Sequence, residues 1–78
     1  MDIRQVEVNL IKKKWEKLEA KNGEDRKREV LILLRMVYPL LADTKGKEIL
    51  DLYTKLKESD EALKEAEEFL EEAIRSLE

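Results

Sequence analysis

Residues 30–42 read VLILLRMVYPLLA, thirteen positions of which only Arg35 is charged, in a chain that is 45% charged. At about 100° per residue this run keeps no polar face. Val30, Leu34, Val37 and Leu41 fall on one side, and Ile32 and Met36 fall on the other. A helix that is apolar all round has to be covered all round. The run is therefore either a central helix wrapped by its neighbours or a helix with one side kept for a partner. That alternative governs the arrangement of everything else.

Seventy-eight residues form a single domain, 1–78, that buries only about 60–65% of its unfolded surface. Domains of this size commonly depend on disulfides, a metal or unusually good helix packing. The chain has no Cys and no His. No disulfide can form, and both the commonest metal ligand and the commonest general base at neutral pH are missing. Packing is left to hold the fold, so a cooperative monomer with no cofactor is expected. Met1-Asp2 opens directly into amphipathic sequence, without the apolar stretch of a signal peptide. The apolar run is too short to span a bilayer and contains Pro39. A soluble chain is expected, and no compartment follows from the sequence.

The net charge of −3 is unevenly placed. Residues 1–35 hold ten Lys/Arg against seven Asp/Glu, a balance of +3, and residues 58–78 hold two against nine, a balance of −7. The asymmetry fits either a nucleic-acid face followed by an acidic tail, or complementary charge between neighbouring helices. The second reading is favoured. Lys12, Lys13, Lys14, Lys17 and Lys21 spread around their helix with Glu16 and Glu19 between them, and an acidic chain repels phosphate. No nucleic-acid partner is expected.

Ile3, Val6, Leu10, Ile11, Trp15 and Leu18 recur at three- and four-residue steps, which predicts a first helix near 2–22. Asn22-Gly23 is its stop signal, since glycine accepts the left-handed conformation that satisfies the last carbonyls. Asp25 is placed to cap a second helix, 25–42, that carries the apolar run. Pro39 lacks an N–H, clashes with the carbonyl four residues back and biases Tyr38 away from helical angles. The helix either kinks at 38–39 or a new short helix starts at Pro39, and the sequence leaves both open. Asp43-Thr44-Lys45-Gly46 reads as a turn with Asp43 or Thr44 as cap. Ile49, Leu50, Leu52, Tyr53 and Leu56 then give the stripe of a helix at 45–58. Ser59-Asp60-Glu61 supplies a cap and acidic first-turn residues for a last helix at 60–77. In that helix Leu63, Ala66, Leu70, Ala73 and Leu77 follow a heptad, flanked by Phe69 and Ile74. No segment alternates with period two, so no strand is expected.

Strong helix formers fill the polar positions, and each predicted break carries turn or cap chemistry, the consistency expected of an idealised sequence. The stretch SDEALKEAEEFLEEAIRSLE, residues 59–78, resembles the terminal helices of computationally designed helical miniproteins. Ser and Asp stand at its start, Ala and Leu inside, Glu and Lys outside. The resemblance is one of style, covers the last quarter of the chain, and brings no functional residues with it. It implies a de novo protein without an evolved activity. The all-apolar run with its proline departs from that style, because a simple designed bundle keeps each helix two-faced.

Catalytic chemistry finds little support. Ser59 and Thr44 read as caps, Ser76 lies near the end of the chain, and none of these, nor Thr54, has a histidine to activate it. Lys14 lies within the apolar arc of the first helix, where its stem is expected to snorkel to water and keep its charge. Glu61, Glu65, Glu68 and Glu72 line one helical face, but opposite the Leu63/Ala66/Leu70 stripe, as a solvated face would. Dimetal bundle sites instead use inward glutamates with a Glu-x-x-His motif. No phosphate loop, calcium loop or zinc spacing occurs. Trp15 shares a side with Ile11 and Leu18 and is expected to cover the core. Catalytic, cofactor-binding and metal residues are accordingly expected to be none.

The expectation is thus an all-α, compact bundle of four main helices (five if Pro39 splits the second), with a central apolar helix and some steep crossings. Its function is read as a stand-alone, non-enzymatic fold of the designed type. The alternative is a helical binding module that presents apolar residues of 30–42, Ile32 and Met36 above all, to a partner protein or to a second copy.

Overall fold

A computed structural model describes residues 3–77, which are all-α, with no strand among them. Three helices follow one another: α1 (Ile3–Lys17), α2 (Gly23–Glu58) and α3 (Leu63–Leu77). Short 3-10 turns at Leu18–Ala20 and Asp60–Ala62 close α1 and open α3. The predicted start of the first helix at position 2 lies outside the described residues.

The junctions follow local chemistry. The Lys21 N–H donates to the Leu18 carbonyl at 3.0 Å, tightening the end of the first helical segment. Gly23 takes φ +57°, the left-handed conformation that costs glycine least, and the chain reverses there. The cap residue of α2 is Asn22 rather than the predicted Asp25, and it makes no side-chain capping bond. Glu24 and Asp25 stand instead in the first turn, where carboxylates complement the helix dipole. Ser59 does cap, its Oγ accepting from the Glu61 N–H at 3.2 Å.

Helix α2 corrects the expected count of four. The segments predicted at 25–42 and 45–58 are one helix of 36 residues that runs through Pro39 and through Asp43-Thr44-Lys45-Gly46. No turn forms at 43–46 and neither Asp43 nor Thr44 caps a helix; the Thr44 hydroxyl donates back to the Leu41 carbonyl at 3.5 Å. A straight helix of this length would measure about 54 Å. The Cα framework, however, is 38 × 28 × 15 Å, so α2 must bend sharply. Pro39, which cannot donate to the Arg35 carbonyl, is the residue that permits it. The bend is also visible in who meets whom. A Cβ placed on Gly46 would lie 3.5 Å from the Tyr38 ring, although the two residues stand about 12 Å apart along a straight helix.

Gly46 is buried in the middle of this helix with negative φ. Its imagined Cβ meets only ordinary van der Waals neighbours, the Tyr38 ring and, at 3.9 Å, the Ala42 Cβ. Gly46→Ala should therefore stabilise the fold by about 0.5–1 kcal/mol, the propensity gained in a helix interior. Thermal melts of the two proteins check this, and a lower melting temperature for the variant would count against the geometry at the bend.

Both arms of α2 feed one core. Val30, Leu33, Leu34 and Val37 from the first arm are 0% exposed, and Ile49, Leu52 and Leu56 join them from the second. Helix α3 supplies Ala66, Leu70 and Ile74 to the same cluster, as its heptad predicted. Helix α1 is rotated from expectation. Ile11 and Leu18 are buried and Trp15 packs partly against the core, but Val8 also turns inward while Ile3, Val6 and Leu10 are exposed.

Candidate functional site

The hydroxyls and Lys14 weighed for chemistry make local contacts. Ser59 is a cap, Thr54 donates to the Leu50 carbonyl at 2.9 Å, and Ser76 donates to the Ala73 carbonyl at 2.7 Å. Lys14 is not desolvated; its Nζ reaches Glu29 at 3.5 Å. Glu61, Glu65, Glu68 and Glu72 are exposed. Among the described residues no group of three or more acids gathers in a way that could hold a metal ion. No helix among them is long and apolar enough to cross a membrane.

Charge is used between helices. Arg26 of α2 grips Glu67 of α3 through two hydrogen bonds, Nη2 to Oε1 at 2.6 Å and Nε to Oε2 at 3.0 Å. The side-chain bond to Glu67 holds the Arg26 guanidinium above its ordinary pKa, with partial burial opposing. Lys27 Nζ donates to Asp60 at 2.7 Å, and that bond raises the Lys27 pKa in the same way. Both pairs join the basic first half of the chain to its acidic end. The Arg26–Glu67 pair lies in a surface depression between α1 and α3, beside Trp15, Leu18 and Leu63. A second depression, between α2 and α3, is lined by Glu48, Asp51, Glu65, Glu68 and Glu72 around Leu52 and Phe69. Its carboxylates are exposed, as on a solvated face.

The bend of α2 builds a different surface. Leu34, Arg35 and Tyr38 from the first arm and Ile49, Leu50 and Tyr53 from the second line one groove of about 280 Å3. Leu34 and Ile49 would stand about 22 Å apart on a straight helix, so this groove is the inside of the bend. Its floor is buried, with Leu34 at 0% and Ile49 at 1%, whereas Leu50 is 53% exposed. Arg35 is exposed on the rim, and Lys57 lies over the Tyr53 ring, 5.6 Å from its centroid. Sequence reasoning missed this site because its residues become neighbours only through the bend. The one available signal was Pro39 next to an apolar run with no polar face.

The two residues singled out for a partner, Ile32 and Met36, are half-buried. Met36 packs against the core cluster, so the second side of the apolar run is partly covered by the protein itself. In comparisons with known proteins, no family model matches the chain, and no curated protein or solved structure matches it.

Proposed function

We propose that this chain is a non-enzymatic helical domain of the designed type, without an evolved biochemical activity, that folds alone as a monomer. In this reading its helices cross steeply around the central arm of α2, and the fold is held by core packing. One observation carries the proposal. The quartet Val30, Leu33, Leu34 and Val37 is completely enclosed by the chain's own helices, with no buried polar or charged side chain among the described residues. Such a core needs no ligand to complete it, and it holds no desolvated group that a reaction could use. Circular dichroism with and without a chelator, beside a sizing measurement, provides the test. High helicity, a single cooperative melt and monomeric mass in both conditions are expected. Low helicity restored by added metal would reverse the reading.

A second reading, a helical binding module, is favoured by the groove at the bend. Leu50 and Tyr38 stand exposed there over a buried apolar floor. In this reading the first arm still presents part of 30–42, but through Arg35 and Tyr38 rather than through Ile32 and Met36.

A further inference from the structure

We propose that the groove inside the α2 bend is a docking site for an acidic amphipathic helix of a partner protein. The inference rests on the binding-module reading and names the chemistry of the occupant. Two strips converge on the groove. Arg28, Leu31, Arg35 and Tyr38 recur at three- and four-residue steps along the first arm, and Gly46, Leu50, Tyr53 and Lys57 do so along the second. Such steps keep residues on one helical face. Neither strip contains a carboxylate, in a chain with nineteen Asp and Glu, and no carboxylate lines the groove between them. The centre is apolar and aromatic, and the charged members, Arg28, Arg35 and Lys57, are all cationic. Among the described residues Arg28 and Arg35 take part in none of the ion pairs that join the other helices. An acidic protein has thus kept the lining of this groove free of acid, with Arg35 as its one charged member and in none of those ion pairs. That is electrostatic complementarity to an anionic partner.

The shape selects among anionic partners. At about 280 Å3 the groove falls just under the range that encloses a drug-sized molecule. It suits roughly one or two anchoring side chains of a larger partner. The described residues contain no strand whose edge an extended peptide could join, and a helix laid into a groove by i and i+4 anchors is the recognition mode this groove between two helical arms matches. Apolar residues at i and i+4 of that helix would pack on Leu50 and the Tyr38 and Tyr53 rings. Glutamates flanking them would meet Arg35 on one side and Lys57 on the other. A flat membrane surface does not follow the concave inside of a bend.

The experiment uses a fluorescein-labelled synthetic helix carrying two leucines four residues apart with glutamate flanks. A second helix carries the same leucines with lysine flanks, and anionic phospholipid vesicles form a third arm. Anisotropy should show saturable binding of the glutamate helix that weakens as salt rises. Arg35→Glu should weaken it about tenfold or more, with Arg35→Gln intermediate, and Leu50→Glu should abolish it. Both sites are exposed, so circular dichroism should show unchanged helicity. Amide shifts on titration should centre on Gly46, Leu50 and Tyr53. Equal or tighter binding of the lysine helix would overturn the acidic occupant while leaving a binding module. Failure of both helices to bind would overturn the module itself. Vesicle binding without helix binding would overturn the protein partner in favour of a lipid surface.

Discussion

Leu34→Ala should lower the unfolding free energy by about 2–5 kcal/mol, the cost of removing a buried leucine and leaving a cavity. Leu34 is 0% exposed and belongs to the core cluster that both arms of α2 share with α3. It also lies beneath the groove at the bend, where the exposed Leu50 and Tyr38 side chains have room to settle inward. Partial collapse there favours the lower part of the range. Glu68→Ala, on the exposed face of α3, should stay within about 0.5 kcal/mol. Denaturant titration of both variants beside the parent decides the matter. Similar costs at the two positions would mean that the core is not where the helices place it.

The second large effect is expected at Ile32 and Met36. Full burial of such side chains contributes roughly 1.5–3 kcal/mol each, and both are half-buried. Ile32→Glu/Met36→Glu should therefore cost about 2–5 kcal/mol in total, because most of the apolar burial is lost at each site. The glutamate stems can lean outward and keep their charges in water. The double variant should remain a monomer with native helicity and a lower melting temperature. Complete loss of cooperativity would show that the two positions are as central as Leu34. An unchanged melt would show that the fold makes no use of them. Sizing and a thermal melt of the same sample separate these outcomes.

Several features of the fold were legible in the order of residues. The heptad of α3, the cap at Ser59 and the central place of Val30, Leu34 and Val37 all follow from periodicity and cap chemistry, which are local. What was not legible depended on contacts distant in sequence. Asp43-Thr44-Lys45-Gly46 has the composition of a turn, yet it stays helical where Gly46 is covered by the Tyr38 ring across the bend. Tertiary packing of this kind overrides local propensity. Likewise Val6, Val8 and Leu10 are interchangeable as members of an apolar stripe. Only the docking of α1 on the other helices turns Val8 inward and leaves Val6 and Leu10 in water. The groove shared the same fate, since Leu34 and Ile49 belong to one site only after α2 has folded back on itself.

The bend of α2 has one more consequence. Its two arms are joined by an unbroken helix, and the contacts that hold them together are core contacts between the arms and their neighbouring helices. A second copy of the chain could supply those same contacts. Straightening at Pro39 would carry α1 and the first arm away from the second arm and α3 without melting any of them. Two extended chains could then rebuild both cores by exchanging halves. Pro39 is thus the residue at which a closed chain and an exchanged pair would differ. An alanine there would restore the N–H and remove the clash with the Arg35 carbonyl, so Pro39→Ala is expected to shift the balance toward the straight, exchangeable form.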